Sequence, residues 1–258
     1  MLIPNVFLEA IDQTSPSWRT PLKKALFEVN KENKNYLTEL SKEFYLPTEK
    51  RIFSAFKKPL EDVRYVLIGE SPYPREDSAT GYCFMDGSVS NLWSVNGLSK
   101  KVNKATSLRN FLKMLLVTEG VLKKNNTNFQ DLKKIAKILS STDSVFIQKL
   151  SDLQYNLLIN GFLLINTSLV FRKDVSVHKE AKYWLPFMKV VFETLINYHK
   201  HSLPTLILMG KVSEFIKLIP DFGRFPSVIS EHPYNLSFIR NKKMHELFKG
   251  LSLLKKKN

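Results

Sequence analysis

The chain carries a single cysteine, Cys83, in 258 residues. One thiol allows neither an intrachain disulfide nor a cysteine-based zinc site. Histidine is scarce as well, five in all, and none stands at metal-ligand spacing. His199 and His201 flank Lys200, an arrangement that suits an exposed turn better than a helix face. No apolar run reaches the roughly twenty residues that a membrane-spanning helix needs. The opening Met1-Leu2-Ile3-Pro4 lacks a basic stretch ahead of an apolar core, and Glu9 and Asp12 interrupt the next turns of chain, so no secretory signal is expected. An intracellular, cytoplasmic protein without membrane association or cofactor is the expectation. Acidic residues are in deficit: 24 Asp+Glu stand against 39 Lys+Arg, a formal net charge of +15. Solubility accounts for part of such an excess. The rest favours a polyanionic partner, nucleic acid ahead of an anionic membrane surface.

What is present is an ordinary hydrophobic content, 43%, enough for a sizeable core. Residues 20–43 place Leu22, Ala25, Leu26, Val29, Tyr36, Leu37 and Leu40 at helical spacing, which predicts a helical N-terminal region over 1–60. Short apolar runs at Val63–Ile68, Phe162–Ile165, Thr205–Met209 and Ser227–Ile229 read as buried parallel strands. Helical patterns lie between them, at Leu108–Leu116, Phe129–Leu139, Trp184–Tyr198 and Val212–Ile219. The alternation predicts an α/β fold: a three-layer α/β/α sandwich around a central, mostly parallel four-stranded sheet, with the core over 61–250 of a single domain, 1–258. Residues 251–258 read as a basic, mobile tail. In such a fold ligands bind beyond the carboxyl ends of the strands. Those ends carry Gly69-Glu70-Ser71, Asn166, Gly210-Lys211 and Glu231-His232-Pro233.

Residues 69–84 read Gly-Glu-Ser-Pro-Tyr-Pro-Arg-Glu-Asp-Ser-Ala-Thr-Gly-Tyr-Cys-Phe. This stretch resembles the water-activating loop of the uracil-DNA glycosylases, Gly-Gln-Asp-Pro-Tyr-His followed at the same spacing by Ala-x-Gly-x-Cys-Phe. Further segments are similar in the same order: Arg51–Phe56 and Leu60–Val63 before the loop, Thr106-Ser107-Leu108-Arg109-Asn110 at a helix start, and Leu163–Leu169 at the uracil-recognition strand. His178-Lys179-Glu180 matches a His-Lys-Glu, and His232-Pro233 with Leu236-Ser237 resembles the family's His-Pro-Ser-Pro-Leu-Ser loop. The sequence departs from the pattern at Ser71, where the family has its catalytic Asp, at Pro74, and at Tyr234-Asn235. Poxvirus members, which also serve as polymerase processivity components, look similar at Pro-Tyr-Pro.

The resemblance implies a role for each matching residue. Asn166 would hold the acceptor–donor edge of uracil with its carboxamide. Phe84 would stack on the extruded base, and Tyr73 would crowd its C5 edge and so reject thymine. His232 would stabilise charge on the departing base, notably at O2. Leu236 would wedge into the duplex where the base has left. Ser107, Ser168, Ser237 and Arg240 are the candidate DNA phosphate contacts. Ser71 is a weak base without charge, so Glu70 becomes the candidate water-orienting group. A related branch of the superfamily has a Gly-Glu-Ala-Pro-Gly loop with a carboxylate at this position. The implied activity is hydrolysis of the N-glycosidic bond of uracil in DNA. No metal is needed, and no lysine is placed for a Schiff base. The expected partner of a monomeric chain is uracil-containing DNA, single- or double-stranded, with a proteinaceous inhibitor or a replication component as further candidates. Two other readings stay open, both because of Ser71: a DNA-binding homologue without activity, and a glycosylase for a modified base.

Overall fold

The computed structural model describes residues 3–141 and 143–257. In chain order its helices are α1 (Asn5–Asp12), α2 (Pro16–Glu32), α3 (Tyr36–Leu40), α4 (Lys100–Lys104), α5 (Thr106–Thr118), α6 (Phe129–Ser140), α7 (Leu150–Ile159), α8 (Val177–Tyr198), α9 (Val212–Ile216) and α10 (Lys242–Phe248). Its strands are β1 (Tyr65–Gly69), β2 (Trp93–Ser94), β3 (Gly97–Leu98), β4 (Phe162–Asn166), β5 (Thr205–Met209) and β6 (Ser227–Ser230). Two compact units divide the chain. One joins the residues up to Asp86 with Gly161–Ser227; the other joins Gly87–Asn160 with the residues from Val228 onward. The helical N-terminal region expected over 1–60 falls wholly within the first unit.

The first unit is built on the sheet. Val66, Leu67 and Ile68 are fully buried, as are Leu163, Leu164, Leu206 and Ile207. Strands apolar on both faces need cover on both, which is the condition of a parallel sheet. β1 lies between β4 and β5 and is parallel to each, with Tyr65 beside Phe162 and Thr205. The four-stranded order is β4-β1-β5-β6. α2 packs along α8, and an aromatic cluster fills the layer with them: Phe53 stacks on Phe187 at 5.7 Å, and Trp184 meets Phe187 edge-on at 5.6 Å. α8 starts well ahead of the expected Trp184. Its first turns are polar, and what begins it is Ser176, whose hydroxyl caps the Lys179 N–H.

An ionic knot, buried at Glu180 and open to solvent at Glu43, ties the N-terminal part of this unit to the segment after β4. Arg172 Nε donates to Glu180 Oε2 at 2.9 Å, and its Nη1 donates to Glu43 Oε2 at 2.8 Å. The Tyr36 hydroxyl donates to the other Glu180 oxygen. Glu180, the acid of the His-Lys-Glu match, is 1% exposed and is therefore part of the scaffold.

The second unit is helical, with a small antiparallel β2–β3 hairpin. Phe111 packs against Phe248 at 5.4 Å and Phe238 at 6.4 Å. The tail expected to be mobile is tied into this unit. Leu253 and Leu254 are buried, the Leu254 N–H donates to Glu119 Oε1 at 2.9 Å, and the Lys256 N–H donates to the Val145 carbonyl at 2.8 Å. Two apolar residues just before Lys255-Lys256-Lys257 anchor the backbone, while the lysine side chains stay exposed. Asn258 lies outside the described residues.

Candidate active site

In the first unit the site is made by strand register. Gly69 and Asn166 end their strands side by side. The pairing runs on past the strands: the Thr167 N–H donates to the Gly69 carbonyl at 2.9 Å, the Ser168 N–H to the Glu70 carbonyl at 3.0 Å, and Thr167 Oγ1 to the Glu70 carbonyl at 2.8 Å. Asn166 is 5% exposed. Its Oδ1 lies so close to the Gly69 Cα that a Cβ there would collide with it, and would also stand 2.8 Å from Cys83 Cβ. Only glycine allows this approach.

Cys83 fastens the second loop strand to the same place. Its N–H donates to the Leu164 carbonyl at 3.2 Å and its thiol to the Leu67 carbonyl at 3.2 Å. Burial pushes the thiol up, so it stays protonated and clamps rather than reacts. Phe84 follows at φ +63°, half-buried. A bulky residue in the left-handed region costs about 1–3 kcal/mol and persists where its surroundings enforce it. Here Thr80 Oγ1 donates to the Met85 carbonyl at 2.8 Å, and Ala79 bridges Asp86. Buried Asp86 is paired with Arg75 at 3.3 Å, and Arg75 Nε donates to Ser78 Oγ at 3.1 Å. Burial, and after it the charges of Asp86 and Cys83, push the half-buried Tyr73 phenol up, with Arg75 opposing. Tyr73 is thus a neutral wall of the loop.

Glu70 and Asn166 turn to different places. Successive residues at a strand end alternate faces. Asn166 stays with Gly69, whereas exposed Glu70 lines a cleft of about 370 Å³ with Thr167, His178, Ala181, Lys211 and Phe215. Ser71 Oγ donates to the Pro72 carbonyl at 3.1 Å. Ser168, expected to reach a DNA phosphate, cannot do so. It is fully buried, and its hydroxyl is committed to the Val170 carbonyl at 2.5 Å.

In the second unit the residues after β6 form a loop held by side chains. The Tyr234 N–H donates to His232 Nδ1 at 3.1 Å. A backbone N–H can only donate, so Nδ1 is the acceptor and the ring proton sits on Nε2. Asn241 Nδ2 donates to Glu231 Oε2 at 2.7 Å. Partial burial disfavours the Glu231 carboxylate, but hydrogen bonds from Ser237, its own backbone and Asn241 outweigh it and hold the carboxyl below its usual range. Asn110 Nδ2 donates to the Pro233 carbonyl at 2.7 Å. Leu236 is 68% exposed at the head of a 3-10 turn, Leu236–Arg240, so it is not a buried anchor. Ser237 and Arg240 are exposed too, and Ser107 is half-buried in the first turn of α5.

Sequence reasoning passed over Cys83 as a clamp, the Arg75–Asp86 pair and Asn110, and placed Lys211 at a strand end without giving it a role. Asn110 stood within a matching segment and was legible as a position but not as a contact. Among the described residues no group of three or more His, Cys, Asp or Glu could hold a metal ion.

These features define a class: an α/β protein with a buried carboxamide and an aromatic loop at the carboxyl edge of a parallel sheet. No family model matches the chain. A UNG crystal structure from Nitratifractor salsuginis superposes with a TM-score of 0.86 at 34% identity, over 97% of this chain and 96% of that one. A uracil-DNA glycosylase of Nocardioides sp. is 29% identical over 197 residues, 76% of this chain and 68% of that protein. A mimivirus UNG solved in complex with UGI shares the fold, with a TM-score of 0.54 at 14% identity over 91% of this chain and 76% of that one. The chain belongs to the uracil-DNA glycosylase family.

Proposed function

We propose that the protein hydrolyses the N-glycosidic bond of deoxyuridine in DNA, releasing uracil and leaving an abasic site. The observation that carries this reading is Asn166, buried and pinned in register against Gly69. A carboxamide fixed by two strands presents one acceptor and two donors in a set direction, as the edge of uracil requires.

The C1′–N1 bond breaks with its electron pair leaving on the base. His232, its proton on Nε2, donates to the oxygen where charge gathers, O2. A donor aimed at charge that develops late stabilises the transition state more than the ground state. Phe84 supplies a face for the base, and Tyr73, held neutral, closes the C5 edge. Water then adds at C1′ and gives up a proton, which neutralises the departed uracil anion. Ser71 has no charge with which to orient it, whereas Glu70 offers a carboxylate in a cleft with His178 and Lys211. We assign Glu70 to that task. Leu236 fills the gap in a duplex, and Ser107, Ser237 and Arg240 meet backbone phosphates.

DNA is the partner, in accord with the net charge of +15. A proteinaceous inhibitor is a further partner of this reading, since a mimivirus relative in fold was solved in complex with UGI. No helix among the described residues is long and apolar enough to cross a membrane; we place the monomer in the cytoplasm.

The test is an end-labelled oligonucleotide bearing one deoxyuridine, incubated with protein in EDTA and then cleaved at abasic sites with alkali. Wild type, Glu70→Gln and His232→Ala run in parallel. Cleavage by wild type that falls in both variants supports the assignment. Wild-type protein that binds DNA and releases no uracil overturns it.

A further inference from the structure

Asn110 lies in α5 with no solvent exposure. Its Nδ2 donates to the Pro233 carbonyl at 2.7 Å and to the Tyr234 carbonyl at 3.3 Å. Its Oδ1 is buried with no hydrogen-bond partner. A buried carboxamide with one orphaned end gives up part of the stability that its donated hydrogen bonds contribute. What the carboxamide supplies is direction.

The Pro233 carbonyl and the Tyr234 N–H belong to one peptide group, which is planar, so holding the oxygen holds the N–H. That N–H donates to His232 Nδ1 at 3.1 Å. The chain of contacts therefore runs from Asn110 Nδ2 to the Pro233 oxygen, through the peptide plane, and from the Tyr234 nitrogen to the imidazole. Hydrogen bonds in series polarise one another, so the carboxamide also strengthens the bond that keeps the proton on Nε2. The second contact, at Tyr234, stops the next peptide from rotating.

We infer that Asn110 is a positioning residue for His232, acting through the Pro233–Tyr234 peptide plane. The inference rests on the uracil-excision reading for its kinetic consequence and on the hydrogen bonds alone for its structural one. Asn110 touches no reacting atom; its work is to aim the group that does.

The test uses Asn110→Leu and Asn110→Ala, His232→Ala, and the Asn110→Leu/His232→Ala double variant. Single-turnover uracil release should fall on the order of 10- to 100-fold in Asn110→Leu, the loss expected when a catalytic group is misplaced by about 1 Å. KM should stay near the wild-type value. Thermal stability of Asn110→Leu should change little, because the orphaned Oδ1 is gone while the Pro233 and Tyr234 carbonyls lose their donor. The double variant should be no slower than His232→Ala alone, since a residue that acts only through His232 has nothing left to lose. Asn110→Ala repeats the measurement should leucine overpack the site. Nitrogen-15 NMR of the imidazoles in the free protein adds a readout without activity: wild-type His232 should show the Nε2–H tautomer, and Asn110→Leu a mixture. Wild-type turnover in Asn110→Leu, additive losses in the double variant, or an unchanged His232 spectrum would each overturn the inference. If wild type released no uracil, the functional reading would fall, and the spectrum would still decide for Asn110.

Discussion

Asn166 is 5% exposed and Leu236 is 68% exposed, and the two residues stand for two ways of building a reactive surface. In the first unit the backbone does the holding. Asn166, Gly69 and Cys83 are placed by strand pairing and by main-chain bonds to the Gly69, Glu70 and Leu164 carbonyls. In the second unit the loop from Glu231 to Arg240 exposes Tyr234–Ser237 and is supported by side chains: Asn241 on Glu231, Asn110 on Pro233, and His245 Nε2 on the Ile239 carbonyl at 2.9 Å. On the proposed reading, recognition falls to the rigid element, where a displacement is resisted by a whole sheet, and catalysis and wedging fall to a loop that rests on a few separable contacts.

The largest break in this comparison should come from the buried end. Asn166→Asp trades a donor for a second acceptor, so uracil release should fall on the order of 10,000-fold, the scale at which a site built for hydrogen bonds rejects a mismatch. Single-turnover assays check it, and unchanged excision would refute the role. Gly69→Ala leaves every named side chain in place but drives a Cβ into Asn166 and Cys83. Turnover should drop about 100-fold with a stability loss of about 1–3 kcal/mol, read by denaturant titration. If the loop tolerates alanine at full activity, the claim that the sheet sets the tolerance fails.

At the exposed end the effects should be smaller and conditional. Leu236→Ala should slow excision about 10-fold on duplex DNA and hardly at all on single strands, where no stack has to be opened. Equal slowing on both substrates would make Leu236 a loop anchor. The smallest effect should be in acid. Burial, the largest influence, holds the His245 imidazole below its ordinary 6.5; the hydrogen bond to the Ile239 carbonyl opposes it, and the charge of Lys124 adds to it. As pH falls, the unfolded chain takes up this proton before the folded one. The stability that His245 adds is therefore present above 6.5 and is lost below it. Between about pH 7.5 and about pH 5.5 the Tm of wild type should fall further than that of His245→Asn. Parallel curves would remove His245 from the support of the loop.

The sequence by itself determined the four strands of the central sheet, the fold class and the family, but not the β2–β3 hairpin. Val66-Leu67-Ile68 and Leu163-Leu164-Ile165 are apolar on both faces, and that pattern has few meanings other than a covered parallel strand. It also determined which residue types stand at the strand ends, because Asn166 closes its strand and His232 comes two residues after its own. Only the tertiary structure decided which of these residues share a face. Glu70 and Asn166 both end or follow a strand, yet one lines the cleft with Lys211 while the other turns toward Gly69 and Cys83. Only there could Ser168 be seen to spend its hydroxyl on Val170, the residues before the lysine tail to be anchored, and Asn110 to reach the Pro233–Tyr234 peptide. The reason is physical. Period and polarity are local properties of a chain, whereas a hydrogen bond between residues 123 positions apart exists only after the helix and the loop have been brought together.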